Sequence, residues 1–131
     1  MAEASILTEE MILSKSGKKK CTDVTKINAF AMGVERITSL KSFSNLEVVS
    51  LSLNKISSLE VFADCLALKE LHLRKNNITD ILELNHLSLL SNLHTLLLSD
   101  NPCTKLEDYR NIAICKLKFL RKLDSLQVIQ D

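Results

Sequence analysis

The chain has 131 residues, 46% of them hydrophobic and 25% charged, and its 17 basic side chains nearly balance its 16 acidic ones. That length suits a single domain, and a net charge of +1 provides no overall attraction to nucleic acids or membrane surfaces. Two glycines and no glycine-rich motif exclude the common phosphate-binding loops, which argues against a nucleotide-dependent enzyme. The four cysteines contain no Cys-x-x-Cys pair, so neither a zinc site nor a redox motif is indicated.

Residues 1–20 are predicted to be an amino-terminal tail or cap. The first ten residues carry three glutamates and no long apolar run, so we expect no secretory signal there and a mobile segment. Residues 11–20 are expected to form a short cap or a tether. The basic run Lys15–Lys20, with four lysines close to these glutamates, is typical of a solvated tether, although it could also touch phosphate or acidic surfaces.

Residues 21–106 contain an internal repeat. Three copies of the pattern Leu-x-x-apolar-x-Leu-x-x-Asn begin at Leu46, Leu68 and Leu93, at offsets of 22 and then 25 residues. An eroded first copy begins at Val24, another 22 residues earlier. Because no single unit of this length can bury its own apolar face, four units in phase predict a stack of neighbouring repeats with caps at both ends.

Each repeat predicts a short strand followed by turns. Strict alternation around Leu71 points this leucine into the core and its neighbours Glu70 and His72 out to solvent. After the strand, apolar residues recur every three positions from Ile78 to Leu93, a spacing that suits 3₁₀ turns with one face on the core. The predicted fold is therefore an α/β solenoid, with a parallel concave sheet and a convex side of 3₁₀ and helical turns.

Polar residues with a structural role are predicted at the bends. Asn54, Asn76 and Asn101 each follow a strand, where a buried amide can bond the backbone groups that the turning chain leaves unpaired. Met32 takes this position in the first repeat and cannot make these bonds. We therefore expect the first repeat to be the irregular and less stable end of the stack.

The predicted carboxy-terminal cap covers residues 107–131. Its apolar residues between Tyr109 and Leu123 lie three to five positions apart, which predicts an amphipathic helix packed on the last repeat. Tyr109 and Asp124 are expected to be structural, because they belong to the segment that closes the open end of the core. The charged residues expected on the solvent side of that helix are Lys116, Lys118, Arg121 and Lys122.

The repeat and its cap resemble the short, intracellular subclass of leucine-rich repeats. That subclass includes a phosphatase regulatory subunit, a spliceosomal protein and an axonemal dynein light chain. Membership implies a right-handed solenoid of four to five units that ends in a cap helix. The resemblance rests on the Asn-x-Ile ending of the unit and on the tail from Asn101-Pro102 through Tyr109-Arg110 to Leu123-Asp124.

Within this subclass, the chain is similar to a family of small cilia- and flagella-associated leucine-rich repeat proteins. The similarity extends over most of the chain and implies a ciliary or basal-body setting. The concave positions that are aromatic in that family are Phe30, His72 and Leu97 here, so no shared ligand is implied. The segments that carry the similarity are Met11–Lys15, Leu46–Asn54 and Leu73–Asn76.

The outward residues of the strands are predicted to form one protein-binding face, because solenoids commonly recognise partners on their concave side. Phe30, Val48 and Leu97 are apolar at positions that strand geometry points at water. In the alternative interpretation, Phe30 folds under the amino-terminal segment and Val48 only fills its strand. The predicted face consists of Lys26, Asn28, Phe30, Val48, Ser50, Ser52, Glu70, His72, Arg74, Thr95, Leu97 and Ser99.

The predicted function is non-catalytic protein binding, by an adaptor or scaffold with a preformed face. We expect a monomer with no cofactor, no metal ion and no small-molecule substrate, and no binding to nucleic acid or membrane. His72 lacks the neighbours of a catalytic or metal site, since only Glu70 and Arg74 share its strand face. The chain is therefore not expected to be an enzyme.

The expected location is the cytoplasm, to which the resemblance adds the cilium or flagellum and its basal body. Two alternatives stay open. A nuclear ribonucleoprotein assembly factor, similar to the spliceosomal relative, would bind an RNA–protein complex in a salt-sensitive manner. A phosphatase regulatory subunit would change the activity of an enzyme on mixing.

Overall fold

The computed structural model describes residues 5–129 of the protein. The chain begins with strand β1 (Ser5–Leu7), which leads into helix α1 (Glu9–Ser16). The Thr8 hydroxyl accepts a hydrogen bond from a backbone N–H of the first helical turn at 3.2 Å, a common way for a helix to begin. Gly17 ends the helix in the left-handed conformation, with φ of +71°, which glycine adopts without steric cost.

The amino-terminal segment packs on the first repeat, which contributes β2 (Lys26–Asn28) and β3 (Val34–Ile37). Strand β1 pairs in parallel with β3, and helix α1 packs beside β2. Leu7 and Ile12 are only 1% and 2% exposed, and they supply the apolar surface that holds the segment in place. The expected mobile start is therefore wrong for residues 5–10, and residues 1–4 lie outside the described part of the chain.

The following repeats contribute one short strand each, so that the strands lie side by side in the order β2-β4-β5-β6, all parallel. In this register, the buried central residues form a ladder from Ile27 through Val49 and Leu71 to Leu96. The predicted α/β leucine-rich repeat solenoid with a parallel concave sheet is confirmed. The strands of these repeats are β4 (Val48–Ser50), β5 (Glu70–His72) and β6 (Thr95–Leu97).

The convex side of the stack consists of 3₁₀ turns, as the three-residue apolar spacing predicts. The longest of them in residues 5–129, Ile81–Leu87, belongs to the 25-residue repeat and begins at Asp80, whose carboxylate accepts from the Leu82 N–H. Its inner side chains Leu84 and Leu87 are fully buried. The other 3₁₀ turns are Cys21–Asp23, Glu60–Phe62 and Pro102–Lys105.

The bend asparagines connect successive repeats through their side-chain amides. Asn76 Oδ1 accepts from the Ile56 N–H at 3.0 Å, and its Nδ2 donates to the carbonyls of Leu51 and Leu73, each at 3.0 Å. Asn101 makes the corresponding three bonds one repeat later. Each amide therefore hydrogen-bonds buried backbone donors and acceptors of two repeats at once. Without these partners, the burial of such groups would be costly.

Asn54 extends this arrangement to the irregular first repeat. Its Oδ1 accepts from the backbone N–H groups of Met32 and Val34 at 3.0 and 2.9 Å. Its Nδ2 donates to the carbonyls of Ala29 and Leu51 at 2.9 and 2.8 Å. The second repeat thus supplies side-chain bonds to the repeat in which methionine replaces asparagine.

The residue before each bend position has a left-handed backbone. Ala31, Leu53, Lys75 and Asp100 have φ of +55°, +58°, +58° and +64°. This conformation costs an ordinary residue on the order of 1–2 kcal/mol, yet none of the four positions holds a glycine. All four repeats make this sharp turn, and in the last three it is followed by a buried asparagine.

The carboxy-terminal cap begins with helix α2 (Tyr109–Lys116), as predicted, but the helix is shorter than expected. After Lys116 the chain continues into β7 (Lys122–Leu123), which joins the sheet beside β6, and β8 (Leu126–Gln127), which pairs with β7 in the antiparallel sense. The predicted continuation of the helix to Leu123 is wrong. The physical reason is that Leu120-x-x-Leu123 repeats the spacing of a strand-forming unit, so these leucines are buried as part of the stack.

Tyr109 and Asp124 hold the cap closed. The Tyr109 hydroxyl donates to Asp124 Oδ2 at 2.9 Å, while Asp124 Oδ1 accepts from the Leu98 N–H at 2.6 Å. Arg110 adds bonds from its guanidinium to the carbonyls of Leu123 and Gln127 at 3.2 and 2.9 Å. Burial, reinforced by the Asp124 charge, raises the pKa of the Tyr109 phenol, so this group keeps the proton that it donates.

Candidate protein-binding face

The register of the parallel strands arranges the outward side chains in rows across the sheet. We call these rows together the concave face. The first row follows the leading residue of each strand, and the second row follows the residue two positions later. The first row consists of Lys26, Val48, Glu70, Thr95 and Lys122. The second row consists of Asn28, Ser50, His72 and Leu97.

A third row lies just beyond the assigned strands, where the ladder of backbone hydrogen bonds continues. The Ala31 N–H donates to the Ser52 carbonyl at 3.0 Å, and the Leu53 N–H donates to the Arg74 carbonyl at 2.9 Å. The Lys75 N–H completes the series with a bond to the Ser99 carbonyl. The side chains of this row are Phe30, Ser52, Arg74 and Ser99. The structure therefore brings all twelve predicted face residues onto one continuous surface.

Apolar groups on this face are accessible to a partner. Phe30 is 56% exposed, which contradicts the alternative in which it folds under the amino-terminal segment. Val48 and Leu97 are half-buried, as are the hydroxyl residues Ser50 and Ser52 between them. A face with apolar side chains among small polar ones is typical of surfaces that bind other proteins.

Charged groups on the concave face are partly paired with each other. His72 Nε2 lies 3.1 Å from Glu70 Oε1, and Arg74 Nε donates to Asp100 Oδ2 at 3.4 Å. Within residues 5–129, the two lysines at the ends of the first row, Lys26 and Lys122, form no ion pair with a carboxylate. The centre of the face therefore holds the Glu70 carboxylate, in contact with His72, and the Arg74–Asp100 ion pair, while both of its ends are cationic.

The sequence analysis did not assign Lys122 to this face and placed it on the solvent-exposed side of a cap helix. The signal was present, since Leu120-Arg121-Lys122-Leu123 matches Leu93-His94-Thr95-Leu96 at an offset of 27 residues. The strand pair confirms this alignment, because Lys122 lies beside Thr95. The face thus extends over five strands rather than the four whose asparagine positions are easy to recognise.

Residues 5–129 contain no candidate metal site. No three histidine, cysteine or acidic side chains of this part cluster closely enough to hold a metal ion. All four cysteines are free thiols, and burial raises the pKa of Cys65 and Cys103 to about 11, so both stay protonated at neutral pH. In the same described range, no helix is long and apolar enough to cross a bilayer.

Comparison with family models gives a match over residues 21–131 to a model described as leucine-rich repeat. The chain belongs to the leucine-rich repeat family. Proteins of this family stack their repeats to create extended concave surfaces for recognition, so the family and the fold agree on protein–protein interaction as the general function.

Three curated leucine-rich repeat relatives share more than a third of their aligned residues with this chain. Cilia- and flagella-associated protein 410 of Mus musculus is 35% identical over 95% of this chain and 51% of its own length. An uncharacterized protein of Caenorhabditis elegans is 38% identical over 93% of this chain and 27% of its own length. Leucine-rich repeat-containing protein 23 of Bos taurus is 37% identical over 70% of this chain and 27% of its own length.

The predicted resemblance to cilia- and flagella-associated leucine-rich repeat proteins is confirmed by these relatives. The chain spans about half the length of the mouse relative and about a quarter of the other two.

Solved structures of other leucine-rich repeat proteins share the fold. An internalin of Listeria monocytogenes aligns with a TM-score of 0.60 at 22% identity, over 79% of this chain and 35% of the internalin. A chain of the Drosophila melanogaster SNF/U2A′ complex aligns with a TM-score of 0.55 at 20% identity, over 80% of this chain and 75% of that chain. At these identities the likeness describes the architecture of the stacked repeats.

Proposed function

We propose that this chain is a non-catalytic adaptor that binds a protein partner on its concave face. The observation that carries the proposal is the continuous surface of outward side chains across β2, β4, β5, β6 and β7. The leucines beneath these strands are fully buried, so the face is rigid before a partner arrives. A preformed surface binds with little loss of conformational entropy, which favours affinity.

The composition of the face suits a protein partner better than a small molecule. Phe30, Val48 and Leu97 provide dispersed apolar contacts, and the serines between them supply hydrogen-bonding groups. A small-molecule site would instead enclose most of its ligand in a concave pocket. The proposed binding residues are the twelve predicted from the sequence, together with Lys122.

The proposed setting is the assembly of the cilium or flagellum at its basal body, in the cytoplasm. Its support is the name of the mouse and human relatives, each 35% identical to this chain over 127 residues. We further propose that the adaptor is a monomer. Light scattering during gel filtration would return the mass of one chain, and a tagged copy in ciliated cells would lie beside a basal-body marker.

The concave face is tested by affinity capture from ciliated cells with two matched triple variants. The test variant replaces Phe30, Val48 and Leu97 with alanine. Its control replaces Leu66, Leu82 and Leu89, exposed leucines in the convex turns, with alanine. We expect the test variant to lose the captured partner while the control retains it, at melting temperatures close to that of the wild type.

The outcome of the same experiment separates the alternatives. Recovery of the same proteins by both triple variants would contradict the concave face as the binding site. A partner that disappears after nuclease treatment would instead favour a ribonucleoprotein assembly factor. Capture of a phosphatase whose activity changes on mixing would favour a regulatory subunit. Retention after nuclease treatment, with no change in enzyme activity, is the result that the adaptor proposal predicts.

A further inference from the structure

The carboxylates on and beside the concave face already have partners within the chain. Glu70 pairs with His72, and Asp100 accepts from Arg74. Asp124 accepts from the Tyr109 hydroxyl and from a backbone N–H of the last repeat. On the rim that precedes the strands, Glu47 pairs with Lys69 at 3.4 Å. The acidic groups at the centre of the face therefore already have hydrogen-bond or ion-pair partners within the chain.

Cations without such partners lie at both ends of the face. At the amino-terminal end, Lys15 of helix α1 and Lys26 of β2 line the same depression, which has an apolar floor that includes Ile27. At the carboxy-terminal end, Arg121 and Lys122 are exposed. Within residues 5–129, none of these four basic side chains forms an ion pair. Along the first row, the lysines at the two ends flank the single carboxylate of Glu70.

The distance between the two cationic ends follows from the sheet. Lys26 and Lys122 stand at the two ends of the first row, separated by four steps between neighbouring parallel strands. At about 4.8 Å per step, the ends are about 19 Å apart. A partner that neutralises both ends needs acidic groups at that separation.

The width of the face favours a helical partner over an extended one. Between the first and third rows the chain advances by four residues, for example from Lys26 to Phe30, or about 13 Å. An α-helix with its side chains is about 10–12 Å wide, whereas a single extended strand would fill only about 5 Å of this width. Along the axis of an α-helix, a distance of about 19 Å corresponds to roughly 13 residues.

Resting on the proposed binding function, we infer that the partner segment is an amphipathic helix with acidic residues near both ends. One acidic end lies over Lys15 and Lys26, and the other lies over Arg121 and Lys122. The helix runs across the strands and places its apolar side against Phe30, Val48 and Leu97. Opposite charges at both ends fix its position along the face, while the apolar contacts supply most of the affinity.

A display selection tests this inference with a defined probe. Phage that display helical peptides of 18 randomised residues are selected against the full 131-residue chain. We expect the enriched peptides to carry Asp or Glu at two positions about 13 residues apart, with apolar residues at helical spacing between them. Enriched peptides without acidic ends, or with basic ones, would overturn the inference.

Charge reversal at each end provides the second arm of the test. Lys26→Glu and Lys122→Glu should each weaken a selected peptide about tenfold, because each reversal replaces an attraction by a repulsion. Lys41→Glu is the matched control, since Lys41 is exposed on the convex side and, within residues 5–129, forms no ion pair. Raising the salt concentration should weaken the wild-type complex and leave the complexes of the reversed variants less affected.

Charge exchange identifies which end of the peptide meets which lysine. A selected peptide whose acidic residues at one end are replaced by lysine should bind one of the two reversed variants better than it binds the wild type. If neither reversed variant binds the lysine-substituted peptide better than the wild type does, the assigned position of the helix is wrong.

The outcomes also separate this inference from the proposed function. If the triple alanine variant at Phe30, Val48 and Leu97 loses the peptides but charge reversal has no effect, the face binds partners and the acidic helix is wrong. If neither set of substitutions affects the peptides, or no peptide is enriched, the proposed binding face is wrong as well. Circular dichroism of every variant checks that the fold is intact.

Discussion

The side chain of Asn76 is 9% exposed, and its amide bonds three backbone groups that belong to two successive repeats. An amide is suited to this position because it offers a donor group and an acceptor group on one short side chain. Leucine or methionine would fill the same space and leave those backbone groups unpaired. The single methionine substitution found in the first repeat shows how a neighbouring asparagine can compensate, since Asn54 bonds the Met32 N–H.

Replacing Asn76 with alanine should lower the free energy of unfolding by about 1–3 kcal/mol, because buried donors and acceptors lose their partners. Asn77→Ala is the control, since Asn77 is exposed and contributes only its backbone N–H, which alanine retains. Urea denaturation of both variants measures the difference. Equal midpoints for the two variants would refute the role of the Asn76 amide.

A substitution that relieves backbone strain should stabilise the fold, in contrast to the loss of the Asn76 amide. Lys75 has φ of +58°, and asparagine adopts this left-handed conformation more readily than lysine. Lys75→Asn is expected to raise the free energy of unfolding by about 0.5–1 kcal/mol. Lys55→Asn serves as the control, because Lys55 is also exposed but is not among the residues with positive φ. A stability gain at both positions would show that backbone conformation is not the cause.

Among the structural elements, the carboxy-terminal cap is held by side-chain bonds from helix α2, among them the bond from the buried Tyr109 to Asp124. Tyr109→Phe removes the hydroxyl that donates to the Asp124 carboxylate and leaves the ring in place. The expected cost is about 1.5–3 kcal/mol, the range for a hydrogen bond to a charged group. Hydrogen exchange should quicken in β7 and β8 and remain unchanged in β5. Unchanged exchange in β7 would contradict the role of this bond.

The repeat pattern predicted β2, β4, β5 and β6 in the correct register, because each strand is anchored by apolar residues at positions that recur in every unit. The 3₁₀ turns were predictable for the same reason, from the spacing between Ile78 and Leu93. Strands β1 and β7 were missed, because β1 lies outside the repeats and β7 follows the last repeat without a bend asparagine of its own to mark it. Their existence depends on neighbours distant in the sequence, namely β3 and β6.

The candidate site was predictable to the extent that its side chains alternate with core residues. The twelve predicted residues lie on one face, but the interactions among them do not follow from the pattern. The Arg74–Asp100 contact joins residues 26 positions apart, and Asp100 faces the third row only because its left-handed backbone turns it. The positive charge at both ends of the face could be recognised only after Lys122 was placed in the sheet.

For the whole molecule, the amino-terminal end of the stack is expected to be less stable than its centre. The first repeat holds its bend through Asn54 of the next repeat, whereas the central repeats each contribute an asparagine of their own. In a stack stabilised by nearest neighbours, such an end opens first. Hydrogen exchange should therefore be faster in β2 than in β5. Greater protection of β2 than of β5 would show that the amino-terminal segment compensates fully for the missing amide.

Strand β8 runs antiparallel to all the other strands of its sheet, and this reversal has a consequence for self-association. A solenoid that stopped on a parallel strand would present an open row of amides and carbonyls that matches the strand at the opposite end of another copy. Such head-to-tail contacts do not close and lead to filaments. The β7–β8 hairpin presents a strand of opposite polarity at this edge, and helix α1 packs beside β2 at the other edge. We therefore expect the two edges of the sheet to disfavour head-to-tail pairing between copies of the described strands.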